Sequence, residues 1–115
     1  MPSGQMPQYG VTKSMLLSLS KLTRGAEVTV NTILPGPTLS ENVLEIIESI
    51  YSNEEMTFEA KEKDFMTKNL PQSEIGRFIR PVEIGRLTAF ICSPMGSAFK
   101  GSPIRIDGGM VPTIF

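Results

Sequence analysis

Residues 28–37 read Val-Thr-Val-Asn-Thr-Ile-Leu-Pro-Gly-Pro, a β-branched and apolar run that ends abruptly at a proline. Such a run, with little polar alternation, is typical of a strand that is covered on both faces in a parallel sheet. We therefore predict a central strand over residues 26–34. The Pro-Gly-Pro sequence forbids both continued pairing and an immediate helix, so the chain must turn away at the carboxyl end of the strand. Ligands bind at this end in open α/β sheets.

A helix is predicted directly after this turn. Thr38 and Glu41 are spaced as in a capping box, and four apolar residues then recur at helical spacing: Val43, Ile46, Ile47 and Ile50. Thr38 therefore has two candidate roles, as the cap of this helix or as a contact to a ligand at the end of the strand. The hydroxyl and the backbone N–H could serve both roles at once.

The polar segment 52–64 predicts a second amphipathic helix, with Phe58 and Phe65 seven residues apart. Several carboxylates lie in or near it, but Lys61 and Lys63 are interleaved with them. We therefore interpret the charges as a solvated helix face and predict no metal site. The carboxylates concerned are Glu54, Glu55, Glu59, Glu62 and Asp64.

Two further elements follow. A helix is predicted to begin at Pro81 and to stop at Ser93-Pro94, with an inner face formed by Ile84, Leu87, Phe90 and Ile91. A short strand is predicted around Ile104 and Ile106, and Asp107-Gly108-Gly109 permits positive φ where it ends. Two strands joined through helices make a right-handed parallel crossover, which is half of a doubly wound sheet.

Upstream of the central strand, Tyr9 and Lys13 lie four residues apart in a predicted helix that begins near Pro7 and ends at Arg24-Gly25. Residues at this spacing are neighbours on a helix, and a cation beside a phenol favours the phenolate form. That pairing would suit proton transfer, although it also occurs by chance on many helices. The apolar positions of the helix form a wide stripe that predicts burial on more than one side: Val11, Met15, Leu16, Leu17, Leu19 and Leu22.

Three ordered stretches resemble the short-chain dehydrogenase/reductases: Tyr9-x-x-x-Lys13, the strand that leads into residues 35–40, and Gly101-Ser102-Pro103-Ile104-Arg105-Ile106-Asp107-Gly108-Gly109. The resemblance covers nearly all of the chain but only the second half of the family's usual domain. It implies an α/β fold, the C-terminal part of a doubly wound parallel (Rossmann-like) sheet, with two strands and about four helices. Residues 1–115 would form a single partial domain, with a catalytic helix, a nicotinamide-side loop, a substrate lid at about 38–70, and a closing helix and strand.

The same resemblance implies an oxidoreductase that transfers a hydride between NAD or NADP and an alcohol or carbonyl substrate. Tyr9 would give or take the hydroxyl proton, while Lys13 would favour the phenolate and hydrogen-bond the nicotinamide ribose. The nicotinamide-side loop would add cofactor contacts through Pro35, Gly36, Thr38 and Ser40. Thr38 would offer its backbone N–H to the carboxamide and Ser40 a hydroxyl, where family members more often have Thr.

The chain departs from the family pattern between Tyr9 and the next strand, where it is about four residues short, roughly one helical turn. It also has no counterpart of the glycine-rich phosphate-binding turn or of the serine that polarises the carbonyl. We therefore expect this chain alone to be inactive as a dehydrogenase and to bind NAD(P) weakly or not at all. The competing hypothesis is a non-enzymatic assembly or interaction module derived from this fold.

Composition excludes several classes of function. Lys and Arg total 11 against 12 Asp and Glu, so no charge pattern for nucleic acid or an anionic membrane is present. The sequence contains no histidine, which removes Ser-His-Asp and Cys-His sites and histidine-ligated metals. Cys92 is the single cysteine, in a segment predicted to be apolar and helical, and it favours a reducing, cytoplasmic setting. The apolar tail 110–115 predicts contact with another subunit, and hence a homo-oligomer.

Overall fold

The computed structural model describes residues 7–22 and 27–112. The chain divides into two compact units, the first comprising Met1–Leu34 and Arg86–Arg105 and the second Pro35–Gly85 and Ile106–Phe115. The described part contains four α-helices and a two-stranded parallel sheet, which confirms the predicted fold class. The elements are α1 (Pro7–Leu22), β1 (Thr32–Pro35), α2 (Glu41–Ile50), α3 (Phe58–Asn69), α4 (Pro81–Ile91) and β2 (Pro103–Ile106).

The strand β1 is shorter than the sequence predicts. It pairs with β2 through the Thr32 N–H, which donates to the Ser102 carbonyl at 3.0 Å, and the Gly36 N–H, which donates to Ile106 at 3.0 Å. Regular structure begins only at Thr32, and Val28 is 72% exposed rather than covered on both faces. The physical reason is that no second layer of the described residues covers the faces of the amino-terminal half of the run.

The second unit has an apolar core at the α2–α3 pair. Its buried members are Ile47, Tyr51, Met66 and Phe78. Six partly buried apolar residues surround them: Leu39, Val43, Met56, Phe58, Phe65 and Leu70. The segment between β1 and α4 is thus stabilised by apolar contacts among its own residues.

The cap of α2 is Ser40 and not Thr38, which corrects the predicted capping box. The Ser40 hydroxyl accepts from the Val43 N–H at 3.3 Å, whereas the Thr38 hydroxyl donates to the Gly36 carbonyl at 2.9 Å. Thr38 cannot cap because its backbone forms an isolated parallel bridge with Ile79, which keeps the chain extended for two more residues.

The helix α3 begins at Phe58, later than predicted, because Thr57 caps it by accepting from the Ala60 N–H at 3.3 Å. Its charged residues do not form a fully solvated face, since Lys61 and Glu62 are buried. Lys61 contacts Glu48 at 2.5 Å, and Glu62 contacts Arg80. Burial is tolerated because each charge has an oppositely charged partner. Within the described ranges no cluster of three or more acidic or cysteine residues could hold a metal ion.

In the first unit, α1 is mostly exposed, contrary to the predicted burial on more than one side. Ser20 in its last turn is the exception, because it is buried and a Cβ added at Gly101 would lie 3.4 Å from the Ser20 carbonyl oxygen. None of the helices that the structure describes has the length and apolar character needed to cross a bilayer. The predicted end of this helix at Arg24-Gly25 lies outside the described residues.

The helix α4 begins at Pro81 as predicted and buries Ile91. Phe90 is partly exposed rather than buried and meets the edge of the Phe99 ring, with 6.0 Å between the ring centroids. Cys92 is exposed just after α4 ends and not part of an apolar face. After β2, Gly108 and Gly109 adopt the predicted positive φ, at 63° and 75°.

Candidate active site

Tyr9 and Lys13 lie side by side near the start of α1. The Lys13 Nζ is 5.4 Å from the centroid of the Tyr9 ring, a cation–π distance. Tyr9 is 59% exposed. In the part of the chain that the structure describes, no hydrogen bond engages the Tyr9 hydroxyl or the Lys13 ammonium. Both side chains are exposed.

The loop that follows β1 is fixed by backbone hydrogen bonds within the second unit. The Gly36 N–H donates to the Ile106 carbonyl at 3.0 Å, and a Cβ added at Gly36 would lie 2.7 Å from the backbone of Asp107. Only glycine permits that approach. On the other side of the loop, the Ile79 N–H donates to Pro37 at 2.8 Å and the Leu39 N–H donates to Ile79 at 2.9 Å.

Thr38 lies between Pro37 and Leu39, which both bond the Ile79 backbone, and its own backbone N–H is unused. Across residues 7–22 and 27–112, no acceptor receives its backbone N–H, while its hydroxyl is engaged with Gly36. Ser40 is exposed, and its hydroxyl oxygen caps α2, which leaves the O–H free to donate. Pro35 is the exposed last residue of β1 and has no N–H.

The structure thus gathers the predicted site residues into two groups. Tyr9 and Lys13 share one helix face in the first unit, as the spacing predicted. Pro35, Gly36, Thr38 and Ser40 lie in one loop of the second unit.

A network of four charged residues in the second unit was not predicted. Glu62 receives both terminal nitrogens of Arg80, at 2.6 Å each, and Glu83 receives both terminal nitrogens of Arg77, at 2.9 and 2.8 Å. The Arg77 fork and then the Arg80 backbone N–H hold the pKa of the Glu83 carboxyl at about 2, below its usual range. The sequence signal is weak, because a charged residue on a polar segment normally indicates a solvated position.

A second, more exposed cluster joins α2 to α3. The Tyr51 hydroxyl donates to Asp64 Oδ2 at 2.6 Å, and Lys68 Nζ lies 2.6 Å from the same oxygen. Lys68 and then Tyr51 lower the pKa of Asp64, and the Asp64 bond in turn raises the pKa of Tyr51. The Tyr51–Asp64 bond joins the end of α2 to α3.

Comparison with known proteins gives the family. A sequence model described as "Enoyl-(Acyl carrier protein) reductase" matches residues 2–111. The chain is 44% identical over 119 residues to the uncharacterized oxidoreductase YvaG of Bacillus subtilis (strain 168), which covers 100% of this chain and 45% of YvaG. It is 33% identical over 117 residues to YvrD of the same organism, with 98% of this chain and 44% of YvrD covered.

Among solved structures, the chain is similar to L-sorbose reductase from Gluconobacter frateurii, solved with NADPH and L-sorbose. The TM-score is 0.74 at 25% identity, and the match covers 94% of this chain and 41% of the reductase. The chain thus spans less than half of the length of each of these proteins. Since the family match extends over nearly the whole sequence, the chain belongs to the short-chain dehydrogenase/reductase family.

Proposed function

We propose that this chain is the part of an NAD(P)-dependent oxidoreductase that moves the proton during hydride transfer between the cofactor and a small alcohol or carbonyl compound. The observation that carries the proposal is the Tyr9–Lys13 pair, exposed on one helix face with 5.4 Å between the ammonium and the ring centroid. Family membership supports the reaction class. The exposed, unbridged thiol of Cys92 fits a reducing, cytoplasmic setting.

In this proposal Tyr9 holds the proton that the substrate oxygen gains or loses. A phenol can give or accept a proton at a substrate oxygen, and the ammonium of Lys13 lies 5.4 Å from the centroid of this phenol ring. An ammonium has three N–H donors, so Lys13 can also hydrogen-bond the ribose hydroxyls of a nicotinamide cofactor. The two residues therefore have separable roles, one in the proton step and one in both binding and the proton step.

The loop of residues 35–40 fits the nicotinamide side of the cofactor. The unused N–H of Thr38 can donate to an acceptor, and a carboxamide oxygen is one. Ser40 can add a hydroxyl donor, and Pro35 and Gly36 shape the backbone next to it. When bound, NAD(P) supplies or accepts the hydride. Because most contacts to a dinucleotide belong to a glycine-rich turn that this sequence lacks, we expect weak binding and no turnover by this chain alone.

The alternative is a non-enzymatic interaction module, and one observation favours it. The apolar side chains of α1 are exposed, which is typical of a surface that another protein covers. The same helix presents Tyr9 and Lys13, so α1 could serve either function. Activity measured with the rest of a family domain present discriminates between the two.

The test replaces the matching region of YvaG with this chain, which is feasible at 44% identity. NADH and NADPH oxidation are measured with a panel of ketones and aldehydes, and cofactor Kd is measured by calorimetry. Tyr9→Phe should lower turnover by about 10²- to 10⁴-fold with little change in cofactor Kd. Lys13→Ala should lower turnover and weaken cofactor binding together.

The matched control is Lys21→Ala, which removes an exposed lysine from the last turn of the same helix. It should leave both turnover and cofactor Kd unchanged. Near-normal turnover of the Tyr9→Phe graft would refute the catalytic assignment. A folded graft that neither binds NAD(P) nor turns over any carbonyl compound would favour the interaction module.

A further inference from the structure

One short segment, Arg77–Arg80, contacts both the nicotinamide-side loop and α3. On the loop side, the Ile79 N–H donates to the Pro37 carbonyl at 2.8 Å, and the Ile79 carbonyl accepts from the Leu39 N–H at 2.9 Å. These two bonds flank Thr38 on either side. The position of the Thr38 N–H therefore depends on where Ile79 lies.

On the α3 side, Glu62 bonds the residues before and after Ile79. Its Oε1 accepts from the Phe78 N–H at 3.0 Å and from Arg80 Nη1 at 2.6 Å, and its Oε2 accepts from Arg80 Nη2 at 2.6 Å. The Glu62 side chain is only 5% exposed. Charge-assisted hydrogen bonds in such surroundings are weakly screened by water and hold their geometry well.

Glu83 engages further polar groups of the segment. Its Oε2 accepts a hydrogen bond from the Arg80 N–H at 2.8 Å. Its two carboxylate oxygens also accept hydrogen bonds from the two terminal nitrogens of Arg77. Arg77 also donates to the Phe78 carbonyl at 2.9 Å. Charged groups thus fix Arg77, Phe78 and Arg80, and the backbone of Ile79 is left to hold the loop.

We propose that Glu62 is a positioning residue for the nicotinamide-side loop, residues 35–40. By fixing Phe78 and Arg80 it fixes Ile79, and through Ile79 it holds the Thr38 N–H in place. The coupling between α3 and the loop is independent of the reaction, whereas its consequence for cofactor binding rests on the proposed function. Glu62 would therefore act on the cofactor without touching it.

Amide hydrogen exchange of the full 115-residue chain tests the coupling. Glu62→Gln removes the charge, and Arg80→Lys keeps the charge but loses the two-nitrogen fork, so it remains informative if the first variant unfolds. Both should raise exchange at the Leu39 and Ile79 amides by at least roughly tenfold. The Tyr51 amide, bonded to Ile47 at the end of α2, should keep its protection.

The control Glu59→Gln removes an exposed carboxylate from α3 and should change none of these amides. Unchanged exchange at Leu39 and Ile79 would overturn the proposal. A uniform rise at all protected amides in both variants would also overturn it, because the pair would then serve only the stability of the unit as a whole.

A second measurement separates this inference from the proposed function. In the YvaG graft, Glu62→Gln should raise the cofactor KM at least roughly tenfold with little change in kcat. If the graft without this substitution is inactive, the proposed function fails while the exchange result still decides the coupling. If exchange at the Leu39 and Ile79 amides rises but the cofactor KM of an active graft stays constant, the positioning role is overturned.

Discussion

Glu83 accepts hydrogen bonds from both terminal nitrogens of Arg77, at 2.9 and 2.8 Å, and from the Arg80 N–H at 2.8 Å. All of these bonds favour the ionised carboxylate. They keep the pKa of Glu83 at about 2, against an ordinary value of 4.5. The Glu83 carboxylate holds Arg77 and the Arg80 backbone in the segment before α4, so its protonation should be measurable as a loss of stability.

The pH dependence follows from the direction of this shift. Because the folded-state pKa is lowered, the stabilisation is complete above pH 4.5 and is lost as pH falls toward about 2. Glu83→Gln should therefore lower the urea midpoint at pH 7, and the difference from the unsubstituted chain should shrink between pH 4.5 and 2. Glu45→Gln, at an exposed position of α2, should give no such difference. A Glu83→Gln effect that stays constant with pH would contradict the assignment.

Gly36 is a position where the backbone leaves no room for a side chain. An added Cβ would lie 2.7 Å from both the Cα and the carbonyl oxygen of Asp107, which are backbone atoms that cannot rotate away. Gly36→Ala should destabilise the chain by about 1–3 kcal/mol in urea unfolding.

Gly85 supplies the matched control, because nothing lies within 4 Å of a Cβ added there. It occupies the interior of α4, where alanine is favoured over glycine by roughly 0.5–1 kcal/mol. Gly85→Ala should therefore stabilise the chain. Equal effects of the two substitutions would show that the β1–β2 approach at Gly36 is looser than described.

At the scale of elements, the start of α2 shows how a distant contact selects between two local options. Thr38 and Ser40 both have side chains that cap helices well. The bridge between Thr38 and Ile79 keeps Thr38 extended, so the helix begins after Ser40. The choice is therefore made by a residue from another part of the chain.

Ser40→Ala should cost about 1 kcal/mol of stability, since the Val43 N–H would lose its acceptor. Ser52→Ala, an exposed serine just beyond the end of α2, serves as the control and should cost less than about 0.5 kcal/mol. Both values come from urea unfolding at one protein concentration. A larger loss for Ser52→Ala than for Ser40→Ala would contradict the cap.

Local signals in the sequence predicted the elements they control directly. Pro81 begins α4 because proline suits a first helical turn, and Gly108 and Gly109 adopt positive φ because glycine can. The Tyr9–Lys13 contact follows from helix geometry alone. The fold class was predicted from the order of the strands and helices along the chain together with the family resemblance.

Features that depend on distant partners could not be predicted in this way. Glu62 resembles a surface residue until Arg80, 18 residues away, is placed beside it. The exposure of Val28 depends on which layers cover the sheet, and no pattern within the run encodes them. The contact between the nicotinamide-side loop and Ile79 likewise depends on the Thr38–Ile79 bridge, which only the folded chain shows.

For the whole molecule, the exposed apolar side chains of α1 are the main feature that favours self-association. Val11, Met15, Leu16, Leu19 and Leu22 are each more than half exposed. Exposed apolar groups in such number are typical of a surface that another chain covers.

We therefore expect the isolated chain to associate with other copies at micromolar concentration, as measured by light scattering. Replacing Leu16 and Leu19 by lysine should reduce the average mass, because two charges would have to be buried in the contact. Replacing exposed Thr67 of α3 by lysine should leave the mass unchanged. A sharp monomer mass with cooperative unfolding of the unsubstituted chain would contradict the prediction.

The Asn31 side chain accepts from the Ser102 N–H at 3.0 Å across a separation of 71 residues. Closing so long a loop is entropically slow, whereas the α2–α3 contacts Tyr51–Asp64 and Lys61–Glu48 join residues only 13 apart. We expect the helix pair to form early and the strands to meet late. During refolding, the N–H groups of β1 would stay unpaired until β2 arrives, which favours aggregation. The yield of native chain would therefore fall as protein concentration rises.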